Sequence, residues 1–251
     1  MGFDIPALSK VWSVLTGTRE QVRRDGYEGL EGTLIDGRFE VIRKIGTGGM
    51  GSVYLARQKS MHRDVAIKVL NPDKVNDQDA RERFRVEAAA VSRLKSPHTI
   101  SVYDFGEDER GGLFLVMELL QGRPLSEILE RRGSLPIPMA LEITDQILDS
   151  LSEAHRSGVL HRDLKPENVF VREDLGGSVF VKVLDFGIAK VVGGPMESRT
   201  WAGSVFGTPA YMSPEQVMGR ELDVRTDLYA VAVVLYEMIT GRLPITGETA
   251  I

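Results

Sequence analysis

Cysteine is absent from all 251 residues. That one absence excludes disulfides, thiolate metal sites and cysteine nucleophiles together, and it is compatible with a reducing compartment. Positive charge is not in excess either. The 31 Lys and Arg against 36 Asp and Glu leave a formal charge of −5, so the overall field does not favour a polyanion such as nucleic acid. Any phosphate site must therefore be local. Long apolar runs are also missing: the most apolar stretch, Leu228 to Tyr236, is stopped by Glu237 and falls far short of the roughly 20 residues that a membrane span needs. Residues Met1 to Glu20 lack a basic leader and carry Asp4, Pro6 and Lys10 among their apolar residues, so no secretory signal is read there.

What is present is an ordinary globular composition, 42% hydrophobic and 27% charged, enough for one large core or two modest ones. Ile5, Leu8, Val11, Trp12 and Leu15 recur at helical spacing ahead of a polar, glycine-bearing stretch, so residues 1–37 are expected to form an extension with a short amphipathic helix. From Phe39 the period becomes two: Phe39, Val41 and Ile45 alternate with polar residues, and Ser52 to Arg57 and Asp64 to Leu70 repeat short β-type runs. After Pro72 the period turns helical, with Phe84, Glu87, Val91 and Leu94 on one face of a helix from about Asp79 to Leu94. Two more strands, near Ile100 to Gly106 and Leu113 to Glu118, complete an expected five-stranded antiparallel lobe with one main helix. Beyond Gly122 the chain reads as mainly helical: Pro138 opens a helix with an Ile143, Ile147, Leu151, Ala154 stripe, and Gly158 ends it. The order is α+β, bilobal, with the main domain over 38–251, a first lobe over 38–118 and a second over 119–251.

Four segments could carry chemistry. Gly46-Thr47-Gly48-Gly49-Met50-Gly51-Ser52-Val53 spells G-x-G-x-x-G-x-V between two strands, and its glycines let backbone N–H groups approach phosphate oxygens closely. A dinucleotide crossover would need a helix next, which this context does not offer. Val65-Ala66-Ile67-Lys68 places a lysine on the third strand, where a buried ammonium must find an anion, and Glu87 lies on the inward face of the following helix. His161-Arg162-Asp163-Leu164-Lys165-Pro166-Glu167-Asn168 puts a proton acceptor, a cation and an amide within eight residues. Asp185-Phe186-Gly187 then adds a second oxygen donor for a hard cation such as magnesium.

In that order and on those elements, the segments resemble the protein-kinase signature set, with Ser213-Pro214-Glu215 at the A-P-E position. Lys165 and Gly207-Thr208-Pro209-Ala210-Tyr211 look like the serine/threonine-specific branch. Ala210 to Gln216 is similar to bacterial members, the Hanks-type kinases. The resemblance implies a protein kinase moving the ATP γ-phosphoryl group to Ser or Thr of proteins, itself included, with Asp163 as base and Lys165 and Asn168 as the other catalytic residues. It implies that Asn168 and Asp185 hold magnesium, or manganese in its place, and that Lys68 binds the α- and β-phosphates while paired with Glu87. Ile45, Gly46, Gly48 and Gly51 would cover the nucleotide, Val53, Ala66 and Phe170 would enclose the purine, Met117 would back its pocket, and Glu118 and Leu120 would present backbone groups to adenine. His161 and His155 would be structural, Asp227 would hydrogen-bond the catalytic loop, and Thr208 would contact Asp163 and Lys165.

By the same resemblance, Arg162 would pair with a phosphate on the activation segment, with Thr200, then Ser204 and Ser198, as its acceptors. Partners implied are protein substrates and a homodimer for phosphorylation in trans, without nucleic acid or a membrane segment in this chain, and a cytoplasmic kinase domain. The last helices of the second lobe are absent from the sequence; in the family they would cover apolar faces of Val231 to Met238 and supply an arginine for Glu215. A fragment of a longer protein is thus expected. The alternative is a pseudokinase or scaffold that binds nucleotide or partners without turnover; a small-molecule kinase is disfavoured by Gly207 to Glu215, which resembles a peptide-binding segment.

Overall fold

The alternating residues from Phe39 onward form a sheet with one apolar face and one mixed face. In this computed structural model, which describes residues 29–48, 51–70, 78–108, 111–174, 176–186 and 209–245, six antiparallel strands share that sheet. They are β1 (Leu34–Ile35), β2 (Phe39–Gly48), β3 (Gly51–Gln58), β4 (Arg63–Leu70), β5 (Val102–Glu107) and β6 (Leu113–Glu118), in the order β1-β2-β3-β4-β6-β5. Tyr54, Ala56, Val65, Ile67, Val69, Phe114 and Val116 bury one face together with Phe39, Val41, Leu30 and Ile35. Residues directly paired across strands share a face. Val53, Ala66, Lys68, Leu115 and Met117, linked by the pairs Val53↔Lys68, Lys68↔Leu115 and Ala66↔Met117, therefore occupy the opposite one.

The sheet has one strand more than the five expected, and the extra strand lies in residues assigned to the extension. Asp36-Gly37 makes a tight turn with both φ positive, +52° and +63°, closed by the Arg38 N–H donating to the Ile35 carbonyl at 3.2 Å. This returns Leu34–Ile35 antiparallel to β2 and buries Leu30 and Ile35 in the core.

Helix α1 (Gln78–Val91) buries Phe84, Ala88 and Val91 and stops short of Leu94. Its neighbour in sequence, Arg93–Ile100, groups with the second compact unit; the first holds residues to Ser92 and Ser101–Leu120, the second Arg93–Ile100 and the residues from Gln121. Hydrogen bonds give the reason. The Ile100 N–H reaches the Val183 carbonyl at 3.0 Å, the Val183 N–H reaches the His98 carbonyl at 2.7 Å, and Thr99 Oγ1 lies 2.7 Å from Ser150 Oγ. The strand expected from Ile100 begins only at Val102 for that reason.

The second unit contains α2 (Leu125–Arg132), α3 (Ile137–Arg156), α4 (Pro214–Val217) and α5 (Val224–Thr240), with β7 (Arg123–Pro124), β8 (Val169–Glu173) and β9 (Val179–Val183) as a three-stranded sheet. Pro138 sits in the first turn of α3, whose Ile143, Ile147, Leu151 and Ala154 are buried as their spacing predicts. Asp223 caps α5 by accepting the Arg225 N–H at 2.9 Å, and Gly241 ends it in the left-handed conformation. Val231, Val233, Val234 and Met238, residues expected to need later helices as cover, are buried already, because α3 packs on α5. The apolar side chains that α5 leaves exposed are instead Val224, Leu228, Tyr236 and Ile239. Among the described residues no helix is long and apolar enough to cross a membrane.

Candidate active site

The loop from His161 to Asn168 follows α3 and leads into β8 by a 3-10 turn at Pro166–Asn168. Its backbone hangs on one buried carboxylate. Asp227, in the first turn of α5, accepts the His161 N–H on Oδ2 at 2.8 Å, the Arg162 N–H on Oδ1 at 2.8 Å, and lies 2.8 Å from His155 Nε2. Arg162 has φ +61°, a left-handed conformation that costs of order 1–3 kcal/mol in a non-glycine residue and persists only where surroundings enforce it. Here they do: its N–H is held by Asp227, and its carbonyl accepts from Gln216 Nε2 at 2.8 Å. Gln216 belongs to a capping box, in which the Ser213 hydroxyl accepts the Gln216 N–H and the Gln216 side chain accepts the Ser213 N–H.

These supports present a small polar group. Asp163 Oδ2 lies 3.4 Å from Lys165 Nζ, and Asn168 Nδ2 donates to the Asp163 carbonyl at 2.8 Å and to Asp163 Oδ2 at 3.3 Å. Because Nδ2 is spent on Asp163, the oxygen of the buried Asn168 amide faces the other way, as a ligand to a hard cation requires. The Leu184 N–H donates to the Asn168 carbonyl at 2.8 Å, tying the loop to the end of β9, and Asp185 follows at once with φ +49°. Phe186 is buried and stacks obliquely on His161, ring centroids 4.9 Å apart. The oxygen-donor set of Asn168 and Asp185 suits magnesium.

His161 is fully buried, and burial pushes its imidazole below the usual histidine range, although Asp227 and Asp163 pull the other way. Its hydrogen bonds fix the same state. Nε2 lies 2.7 Å from the Leu184 carbonyl, which can only accept, and Nδ1 receives the Asp163 N–H at 3.3 Å. A neutral ring protonated on Nε2 satisfies both; it is a strut rather than a base. Nearby, Tyr211 donates to Glu237 at 2.6 Å, and burial raises both the phenol and the carboxyl above their ordinary values.

In the first unit, Gly46 pairs with Val53 and Gly48 with Gly51, so the described glycines of the motif lie on the facing ends of β2 and β3, with Ile45 buried at a register shift. Gly51 has φ +149°, and a Cβ there would meet the Val69 carbonyl oxygen at 2.0 Å. Only glycine fits. Lys68 is buried on the mixed face with Val53, Ala66 and Met117, while Glu87 is half-buried on α1. Glu118 has its N–H on the Ser101 carbonyl at 3.0 Å and its carboxylate on the Ser101 N–H at 2.7 Å. Leu120 and Phe170 are buried. Gly49, Met50, Gly187, Thr208 and the three expected phosphate acceptors Thr200, Ser204 and Ser198 lie outside the described residues. Three supports were not read from the sequence: Gln216 on Arg162, Tyr211 on Glu237, and the 98–100 strap on Val183. A polar residue three after Ser213 is a readable capping signal; the others join residues too distant in the chain to leave one.

A family model described as the protein kinase domain matches residues 39–250. The chain belongs to the protein kinase family. It is 48% identical over 224 residues to the serine/threonine-protein kinase pkn3 of Myxococcus xanthus, covering 88% of this chain and 41% of that one. It is 42% identical over 222 residues to PknL of Mycobacterium tuberculosis, covering 88% and 54%. Against the solved PknI kinase domain of M. tuberculosis the TM-score is 0.69 at 30% identity, over 86% of this chain and 79% of the other. The kinase domain described here thus spans about half or less of the length of these two full-length relatives.

Proposed function

We propose that this chain transfers the γ-phosphoryl group of ATP to serine or threonine hydroxyls of proteins, including its own. The observation that carries this reading is the Asp163 carboxylate held beside Lys165 and Asn168 on a loop whose backbone Asp227 fixes. Asp163 accepts the proton of the attacking hydroxyl, whose oxygen bonds to the γ-phosphorus as the bond to the β–γ bridging oxygen breaks and ADP leaves. Lys165 offsets charge on the phosphoryl group. Asn168 and Asp185 would hold magnesium, which neutralises phosphate charge when bound. Lys68, paired with Glu87, takes the α- and β-phosphates. The hairpin at Ile45, Gly46, Gly48 and Gly51 covers them, and Val53, Ala66, Met117 and Phe170 enclose the purine, with Glu118 and Leu120 offering backbone groups.

Serine/threonine specificity is supported by the names of the relatives at 40–48% identity. A cytoplasmic setting, a homodimer acting in trans, and phosphate on Thr200, Ser204 or Ser198 belong to the same reading. The test is radiolabelled ATP with magnesium, scoring self-phosphorylation. Asp163→Asn should abolish transfer while nucleotide binding persists; a wild-type chain that binds ATP without transferring phosphate would overturn the reading in favour of a scaffold. Mass spectrometry of the active chain should find phosphate within 198–204.

A further inference from the structure

Among its described residues, helix α1 is anchored along one narrow stripe. Phe84, Ala88 and Val91 are its buried apolar residues among those described, and Val86 is 60% exposed. At about 100° per residue, Glu87 falls on one border of that buried stripe and Arg81 and Arg85 on the other. The roll of the helix about its axis therefore decides where Glu87 points. Apolar contacts confined to one stripe resist translation better than they resist roll.

The arginine border is tied down. Arg81 Nη1 donates to Glu107 Oε1 at 2.6 Å, Arg81 Nη2 donates to the Gly111 carbonyl at 3.1 Å, and Arg85 Nη2 reaches Glu107 Oε2 at 3.4 Å. Glu107 is the last residue of β5, so the two oxygens of one carboxylate at the end of a sheet strand take two arginines one helical turn apart. The Arg81 and Glu107 side chains are 27% and 34% exposed, sheltered enough to hold a geometry yet open to salt.

We propose that Glu107, through Arg81 and Arg85, is a positioning residue for Glu87: the clamp sets the roll of α1 and thereby the presentation of Glu87 to Lys68. This rests on the reading of Glu87 as the partner of Lys68. Exposed ion pairs are individually weak, so the clamp biases the helix rather than locking it, and its loss should lower kcat/KM for ATP by about three- to tenfold.

The experiment compares the wild-type chain with Glu107→Lys, Arg81→Glu, their double variant, Glu87→Gln, and Glu107→Lys in the Glu87→Gln background. Turnover is measured across ATP concentrations, and affinity for a fluorescent ATP analogue is read in parallel so that the comparison stands on binding as well. Each single clamp variant should show the loss, the charge-swapped pair should recover most of it, and Glu107→Lys should add nothing once Glu87 is Gln. Equal losses with and without the Glu87 carboxylate, no recovery in the swap, or single variants indistinguishable from wild type would each overturn the proposal. An impaired Glu87→Gln beside an unimpaired Glu107→Lys defeats the clamp alone. An unimpaired Glu87→Gln defeats the Lys68 pairing and the clamp with it. Should Glu107→Lys fail to fold, Glu107→Gln is judged by the same ratios.

Discussion

His161 donates from Nε2 to the Leu184 carbonyl at 2.7 Å. That bond runs from the first residue of the His161–Asn168 loop to the residue before Asp185, so the loop that carries Asp163 and the turn at Asp185 are joined through one neutral ring. The arrangement has a pH consequence. Burial holds the folded-state pKa of His161 below its usual value, so on acidification below about 6.5 the unfolded chain takes up a proton that the folded chain refuses. Stability should therefore fall as pH drops from 7.5 towards 5.5, by up to about 1.4 kcal/mol per pH unit from this group. His161→Phe should be less stable at pH 7.5 yet lose less on acidification; parallel melting curves for both proteins across that range would contradict a neutral buried imidazole.

Asp227 is the sharper structural dependency. Asp227→Ala leaves the buried His161 N–H and the part-buried Arg162 N–H without acceptors, each worth about 1–3 kcal/mol. We expect a loss of about 3 kcal/mol in urea unfolding, together with a lower rate, since Arg162 would be free to leave its left-handed conformation.

Asn168→Asp separates the two jobs of that amide. A side-chain oxygen is kept for the proposed magnesium, but the donor to the Asp163 carbonyl and carboxylate is lost and a like charge arrives beside Asp163. Turnover should fall by about tenfold or more at saturating magnesium, while the magnesium dependence persists. A wild-type rate would mean that the Nδ2 contacts do not matter.

Gly51→Ala should damage nucleotide binding by distorting the β2–β3 hairpin, because its Cβ would overlap the Val69 carbonyl at 2.0 Å and its φ of +149° suits no L side chain. Weaker ATP affinity together with a melting temperature lower than wild type is expected; Gly29→Ala, where a Cβ meets nothing within 4 Å, serves as the control for strain alone.

Much of this was legible in the chain itself. The motifs from Gly46 to Asp185 are legible because the resemblance ties particular residue types to particular spacings, and the period of α3 follows from burying one face of it. Asp36-Gly37 is a readable turn signal for β1. Asp227 could be anticipated from the resemblance. Its three simultaneous donors could not, since they come from residues 155, 161 and 162, far from it in the chain.

Local periodicity, turn chemistry and motif order are properties of neighbouring residues, so the sequence by itself determined most of the strands and helices and the kinase family. The capture of His98–Ile100 by β9, the tautomer of His161 and the Arg81–Glu107 clamp were decided only by tertiary structure. Each depends on a hydrogen bond or ion pair between residues distant in the chain, or on burial that no single segment achieves alone.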